Sequence, residues 1–126
     1  MSQSVLLSGR KITIEFAVRA GGDMPAKEFY DSLDARDKRK LNPPMVRLAE
    51  DGRVENEEHF GKLQDDIWEF KAFQVRMPGF FLKGGRFILT HGFKKKKDRT
   101  PKSEIVRAET IRSEHIARES AQQRKK

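Results

Sequence analysis

Residues 67–93, IWEFKAFQVRMPGFFLKGGRFILTHGF, decide the fold. The first seven residues of this stretch alternate between aromatic or small side chains and mostly charged ones. Alternation of this kind is typical of a half-buried strand. A second strand is predicted in residues 74–83. Its Pro78 predicts an interruption or bulge, because proline lacks the donor that a neighbouring strand needs.

A hairpin turn and a third strand complete this stretch. Residues 83–86, KGGR, predict the turn because glycines supply the positive φ that a tight hairpin requires. Residues 86–93 predict the last strand, which pairs back on the second. Alternation along it places His91 on the same side as Phe87, Leu89 and Phe93.

The part of the chain before this stretch predicts one strand and two helices. Residues 11–20 alternate like a strand, and Pro25 begins a helix with one apolar stripe. The LNPP motif at residues 41–44 is predicted to end that helix, because proline disfavours helix in the preceding residue. A second, shorter helix should end near Gly52. Residues 54–66 are acidic and are interpreted as irregular, with Phe60 and Leu63 as anchors on the core.

The part after it predicts one helix, whose apolar side carries Ile105, Ala108, Ile111, His115 and Ile116. Residues 1–9 and 118–126 are predicted to be flexible. The order is therefore strand, helix, helix, three strands, helix. This order predicts an α+β fold in a single domain that spans residues 1–126.

Composition favours a polyanionic partner. The chain has 126 residues and a net charge of +8, and it has no cysteine for disulfides or thiolate metal sites. Residues 1–85 contain 14 basic and 14 acidic side chains, whereas residues 86–126 contain 13 and 5, so the whole excess lies in the last third. Nucleic acid or an acidic protein would suit this asymmetry. A solvated basic tail is the alternative. No apolar run is long enough for a membrane helix, and we expect a cytoplasmic protein.

Four motifs in order resemble one known group of proteins. They are IWEFK at 67–71, FQVR at 73–76, THGFKKK at 90–96 and TPKSEIVRAE at 100–109. Together they resemble the RelE/ParE superfamily of toxins from toxin–antitoxin pairs, in particular its phage-derived, HigB-like branch. The resemblance implies a small α+β domain with a curved, mostly antiparallel sheet. It also implies mRNA cleavage, usually on the ribosome, and a cognate antitoxin that is typically a helix-turn-helix protein.

The resemblance assigns roles to particular residues. The basic strand position of the family falls on Arg76, its basic pair after the last strand on Lys94 and Lys95, and its histidine on His91. Many relatives carry a catalytic tyrosine near the C-terminus, whereas the only tyrosine here is Tyr30. The general base must therefore be another residue, or it is dispensable. Some members of the superfamily poison gyrase instead of cutting RNA, and fold alone does not separate the two activities.

RNA cleavage without a metal needs few groups. A base takes the proton of the 2′-hydroxyl, cations stabilise the phosphate, and an acid protonates the leaving oxygen. Histidine titrates near neutrality, and arginine offers a fork for phosphate oxygens. The predicted catalytic residues are Arg76, His91, Lys94 and Lys95, and the predicted RNA contacts are Lys71, Arg86, Lys96 and Lys97. No cofactor is predicted, and no metal site, because His59 and His115 lack ligand spacing.

Each assignment has a structural alternative. His91 can be a satisfied histidine on an apolar face, Arg86 a turn residue, and the lysine run a solvated loop. Glu69 is interpreted as an ion-pair partner rather than a base. Trp68 and Phe70 are interpreted as core residues rather than as stacking platforms.

The leading hypothesis is an mRNA endoribonuclease toxin that acts on the ribosome and inhibits translation. The alternatives are a non-enzymatic toxin that binds a protein such as DNA gyrase, and an inactive phage-related RNA-binding module. The predicted partners are the antitoxin, RNA and the ribosome, with no membrane. The sequence leaves the oligomeric state open.

Overall fold

The computed structural model describes residues 3–96 and 99–124, and confirms the α+β class. Within these ranges it has three helices and seven strands. The elements are β1 Val5–Ser8, β2 Thr13–Phe16, α1 Pro25–Ser32, α2 Ala35–Asp51, β3 Phe60–Gln64, β4 Ile67–Ala72, β5 Val75–Leu82, β6 Arg86–Leu89, β7 Phe93–Lys94 and α3 Lys102–Arg124. No helix in the described part of the chain is long and apolar enough to cross a lipid bilayer.

The strands form one mostly antiparallel sheet in the order β1-β2-β6-β5-β4-β3, with β7 beside β5. The consecutive strands β3 to β6 pair antiparallel through short turns, and the predicted pairing of β6 back on β5 is confirmed. Strands β2 and β6 pair parallel. This pairing is possible because two helices and three strands lie between β2 and β6 in the chain, and parallel neighbours need a long connection.

Two apolar layers cover the two faces of the sheet. On one face, α2 buries Leu41, Met45 and Leu48 against the strands. On the other face, the α3 residues Ala108 and Ile111 pack on side chains of the central strands, which are Ile67, Phe80 and Ile88. The predicted core role of Phe70 is confirmed, and Trp68 packs against the same cluster while partly exposed. Strand alternation therefore divides β4 and β5 into an α2-facing side and an α3-facing side.

The predicted boundary between the first two helices is wrong. Helix α1 ends at Ser32, and α2 begins at Ala35 and runs through Pro43 and Pro44. The break lies at Asp34, whose side chain accepts a hydrogen bond from the Asp37 backbone N–H at 2.9 Å and caps α2. An internal proline costs about 3 kcal/mol or more. Several buried apolar side chains of α2, each contributing roughly 1.5–3 kcal/mol, outweigh that cost.

Two strands occupy segments for which no strand was predicted. Strand β1 pairs with β2 inside residues 1–9, and β3 pairs with β4 in the segment interpreted as irregular. Both are edge strands with weak patterns of their own, so the pairing comes from the stronger neighbour. Helix α3 continues to Arg124 beyond its predicted apolar side. The flexibility of residues 1–9 and 118–126 stays a prediction.

The predicted interruption of the second strand is also wrong, and the irregularity lies in its neighbour. Strand β5 is continuous, and the Pro78 carbonyl accepts a hydrogen bond from the Thr90 N–H at 2.9 Å. Gly79 pairs with Leu89, whereas Arg76 pairs with Phe93. The segment from Leu89 to Phe93 advances four residues while its partner segment from Gly79 to Arg76 advances three. The segment after β6 therefore contains one extra residue, which is a β-bulge. The backbone nitrogen of Pro78, which has no hydrogen to donate, faces this bulge.

The bulge changes which way the following side chains point. Paired residues of a ladder share a face, so Phe93 points to the α3 side with Arg76. The prediction that His91 and Phe93 share the side of Phe87 and Leu89 is therefore wrong. Gly92 sits where a Cβ atom would lie 2.0 Å from a ring carbon of Phe29, so α1 closes against the bulge.

Candidate functional site

A charged cluster lies on the α3-facing side of β4 and β5, near the beginning of α3. Glu69 and Lys71 alternate with the core residues of β4 and share the face of Ile67. Arg76 on β5 is the register partner of Lys71. The chain returns to this place through β7, and Lys95 follows it directly, with its N–H bonded to the Gln74 carbonyl at 2.9 Å.

Glu69 is the buried acid of the cluster, with 4% of its surface exposed. The Thr100 hydroxyl donates to its carboxylate, at 2.9 Å from Oε1 and 3.2 Å from Oε2. Burial raises the pKa of Glu69 above its ordinary value, because the charged form is desolvated. The Thr100 hydrogen bond and the charges of Arg76, Lys71 and Lys95 oppose this rise only in part.

Arg76 is the buried cation beside it, 8% exposed. Its Nη1 donates to the carbonyls of Phe73 and Val75, both at 2.8 Å, and thereby closes the β4–β5 turn. Its Nε lies 3.9 Å from Glu69 Oε2. Burial lowers the pKa of Arg76 from its ordinary value, and the guanidinium remains charged. Within the described residues, Nη2 of Arg76 has no hydrogen-bond partner, which leaves one side of the fork available.

Lys71 and Lys95 form the half-exposed rim of the cluster. Lys71 Nζ donates to the Glu57 carbonyl at 2.8 Å, which fixes it over the start of β3. Three cations therefore surround one buried carboxylate, and two of them, Lys71 and Lys95, are partly exposed to solvent. A site of this kind can attract a phosphate, hold its oxygens and accept a proton.

Lys94 and Lys95, predicted as a pair, point to opposite faces of the sheet. Lys94 pairs with Val75 and turns towards α2, where its Nζ lies 3.8 Å from Asp37 Oδ2. Lys95 instead acts electrostatically on Glu69. The structure thus brings Arg76, Lys95 and Lys71 together and places Lys94 on the α2 side.

His91 lies beneath the beginning of α3 and is 1% exposed. Its Nε2 lies 2.9 Å from Glu104 Oε1, and its Nδ1 lies 3.0 Å from the Thr90 hydroxyl. Burial lowers the pKa of His91, and the hydrogen bond to Glu104 raises it in part. When the neutral ring donates Nε2–H to Glu104, Nδ1 is an acceptor for the Thr90 hydroxyl, whose single hydrogen is shared with the Pro78 carbonyl at 3.2 Å. Both ring nitrogens are then engaged by the protein.

Of the other predicted RNA contacts, Arg86 lies apart from the cluster. Arg86 begins β6, at the opposite end of that strand from His91, and donates to Glu15 and Glu119. These hydrogen bonds raise the pKa of Arg86. Lys96 is exposed. Lys97 lies outside the described residues.

Comparison with protein families places this geometry in context. The family model described as "Phage derived protein Gp49-like (DUF891)" matches residues 28–113, which include Glu69, Arg76, Lys95 and Thr100. The chain belongs to the phage-derived Gp49-like family. This is a RelE/ParE-like toxin family, so membership is consistent with the toxin of a toxin–antitoxin pair. The search of curated proteins returned no match.

Sequence reasoning missed two residues of this Gp49-like site. Glu69 was interpreted as an ion-pair partner, and Thr100 was not considered as part of a site. The sequence did contain an indication for Glu69. This acid lies between Ile67 and Lys71 on the same face of the strand, so its side chain is expected either in the core or in the candidate site. Nothing in the sequence indicates that Thr100, 31 positions later, covers it.

This Gp49-like chain also has a cleft that lies outside the cluster. A cleft of about 810 Å³ separates α2 from residues 53–56, and its lining is basic but holds no buried acid. We take the cluster as the candidate site because, unlike the cleft, it joins a buried carboxylate with three cations. Within residues 3–96 and 99–124, no group of three or more His, Asp or Glu side chains could hold a metal ion.

Proposed function

We propose that this Gp49-like chain is a HigB-like toxin of a type II toxin–antitoxin pair that cleaves mRNA on the ribosome and so inhibits translation. One observation carries the proposal: the buried Glu69 carboxylate with a raised pKa, surrounded by Arg76, Lys71 and Lys95. The family match supports the toxin assignment. The antitoxin is proposed to be a small helix-turn-helix protein, and the site of action the cytoplasm.

Glu69 is proposed as the general base. A carboxylate whose pKa is raised towards neutrality accepts a proton more effectively at physiological pH than an ordinary one. Glu69 takes the proton of a ribose 2′-hydroxyl, and the oxygen attacks the adjacent phosphorus in line. The bond to the 5′ oxygen breaks, and that oxygen takes a proton from solvent. The products are a 2′,3′-cyclic phosphate and a 5′-hydroxyl.

Arg76 and Lys95 are proposed to stabilise the charge on the phosphate in the transition state. The open Nη2 side of Arg76 can donate to phosphate oxygens, and its Nη1 is already held by two carbonyls. Such pre-positioning costs no reorganisation during the reaction, and one such donor is worth about 10²–10³ in rate. Lys71 attracts the substrate at the rim. For His91 we propose a positioning role through Glu104, in place of proton transfer, because both of its ring nitrogens are engaged, by Glu104 and by the Thr90 hydroxyl.

The test is cleavage of RNA by the full chain, with and without programmed ribosomes. Wild-type protein should yield 2′,3′-cyclic phosphate ends, and a 2′-deoxy residue at the cut should stop the reaction. Glu69→Gln should bind RNA as wild type does and cleave at least about 10²-fold more slowly. Arg76→Lys is preferable to alanine, because alanine would also release the Phe73 and Val75 carbonyls.

A growth assay separates this proposal from its alternatives. Expression in a bacterium should arrest growth and translation, and Glu69→Gln should remove both effects. Growth arrest with inhibited supercoiling and intact RNA would instead assign the chain to the gyrase-binding toxins. RNA binding with no cleavage in either assay would make it a binding module.

A further inference from the structure

An aromatic side chain projects at the turn between β4 and β5, next to the candidate site. Phe73 is 45% exposed, which is unusual for a phenylalanine beside a charged cluster. Its carbonyl accepts the Arg76 Nη1 hydrogen bond at 2.8 Å, so ring and guanidinium belong to one rigid turn. Arg76 therefore holds the backbone of the turn that carries the Phe73 ring.

The backbone of Phe73 is strained. Its φ is 55°, in the left-handed region, where glycine and asparagine are favoured and bulky residues are rare. Phe73 is the first residue of a two-residue turn, because Ala72 pairs with Val75. Asparagine would satisfy this turn with less strain, so the ring does not serve the turn itself. Strained residues of this kind cluster at ligand sites.

Cations of α2 support the ring from one side. The Arg36 guanidinium carbon lies 3.9 Å from the centroid of the Phe73 ring, and Lys40 Nζ lies 5.9 Å from it. Lys40 also lines the basic cleft beside α2, together with Arg39 and Arg47. These cations add positive charge around an exposed aromatic ring. Unpaired nucleobases stack on such rings while the nearby cations hold the phosphates.

We propose that Phe73, backed by Arg36, is a stacking platform for one unpaired base of single-stranded RNA at the turn that Arg76 closes. This inference rests on the proposed function only in taking RNA as the ligand. The platform selects an unpaired base, because a base inside a duplex has no free face. Stacking on a phenyl ring discriminates little between the four bases, so the platform positions RNA rather than reading its sequence.

The test uses the full chain, a single-stranded 12-mer RNA with one 2-aminopurine, and a duplex of the same sequence. Phe73→Asn should bind the single strand about 5–150-fold more weakly and lose the quenching of 2-aminopurine. Phe73→Trp should bind at least as tightly as wild type. The salt dependence of binding should be unchanged in both variants, because the ring carries no charge. Duplex binding should not respond to either substitution.

Stability measurements separate a platform from a structural ring. Phe73→Asn should unfold at the same temperature as wild type or higher, since it relieves strain. Asp65→Asn is the matched control, because Asp65 has φ 51° in the β3–β4 turn and carries no ring. It should leave RNA affinity unchanged. Wild-type affinity in Phe73→Asn, a fall explained by a lower unfolding temperature, or no single-strand binding by wild type would each overturn the inference.

Cleavage and RNA binding are measured separately, so that a failure of the proposed chemistry is distinguished from a failure of the stacking platform. If Glu69→Gln cleaves at the wild-type rate while Phe73→Asn loses RNA, the platform stands and the proposed chemistry fails. If Glu69→Gln is inactive and Phe73→Asn binds normally, the chemistry stands and the platform fails. If Phe73→Asn instead loses only a protein partner, the ring belongs to a protein interface and the inference fails.

Discussion

Thr100 donates its hydroxyl hydrogen to the carboxylate of Glu69, with Oγ1 2.9 Å from Oε1 and 3.2 Å from Oε2. This contact ties the residues before α3 to the centre of β4. It also holds part of the negative charge of a carboxylate that burial disfavours. A neighbour 31 positions away in the chain therefore lowers the pKa of Glu69, against the larger effect of burial, which raises it.

Replacing Thr100 by valine should move the acid limb of the pH–rate profile upwards. The Thr100 hydrogen bond lowers the pKa of Glu69, so its loss raises that pKa further. A hydrogen bond to a charged group is worth about 1.5–3 kcal/mol, so the displacement of the limb should be measurable. The rate above the limb should change little. Thr110→Val, which removes a hydroxyl on the exposed side of α3, should not move the limb.

The raised pKa of Glu69 also predicts how stability depends on pH. The folded chain binds this proton more tightly than the unfolded chain, so the stability it contributes is present below about pH 4.5. It is lost as pH rises through the raised pKa. The Glu69→Gln side chain does not titrate. The difference in unfolding temperature between this variant and wild type should therefore shift in favour of the variant as pH rises through the raised pKa of Glu69. Glu58→Gln, at an exposed position, is the control. Parallel curves for wild type and Glu69→Gln would contradict the prediction.

His91 and His115 should cause acid destabilisation. Burial lowers the pKa of both rings from 6.5. The unfolded chain therefore takes up these protons first, so the stability is present above pH 6.5 and is lost as pH falls through the lowered pKa values. Each proton contributes a slope of up to about 1.4 kcal/mol per pH unit. His91→Gln and His115→Gln should each flatten the fall in unfolding temperature. His59→Gln, which changes the third histidine at a half-exposed position, should not.

Replacing Lys95 should change both the rate of RNA cleavage and the salt dependence of RNA binding, whereas replacing Lys83 should change neither. Lys95→Ala should lower the cleavage rate by about 10²–10³ if it stabilises the transition state. A lost phosphate contact should also flatten the log–log salt slope of single-strand binding by roughly 0.7. Lys71→Ala should flatten the slope with a smaller effect on rate. Lys83→Ala, at the far turn of β5 and β6, provides the reference, and equal effects of all three would show general charge attraction only.

Gly92→Ala should destabilise the fold by overpacking. An added Cβ would lie 2.0 Å from Phe29 Cδ2, so the ring or the bulge must move. Overpacked cores lose about 1–3 kcal/mol, which denaturant unfolding can measure. Replacing Phe29 by leucine in the same chain should restore part of the loss. An unchanged midpoint in Gly92→Ala would mean that α1 does not close on the bulge.

The sequence by itself determined the class of fold and much of the element order. Alternation in residues 67–93 and the Gly84–Gly85 turn produce the central strands because side-chain period and positive φ are local properties. The same reasoning failed at Pro43 and Pro44, where a local breaker is overridden by the burial of Leu41, Met45 and Leu48. It failed at β1 and β3 because an edge strand takes its conformation from its neighbour.

The candidate site was predicted in residue type but not in arrangement. Arg76 and Lys95 follow from the family-like motifs, yet only the tertiary structure decided that Glu69 and Thr100 meet them and that Lys94 faces away. The physical reason is the extra residue between Leu89 and Phe93, which turns the following side chains to the opposite faces. A bulge has no strong signature in a single strand, because it depends on how two strands pair. Burial, which raises the pKa of Glu69 and removes His91 from solvent, is likewise a property of the packed fold alone.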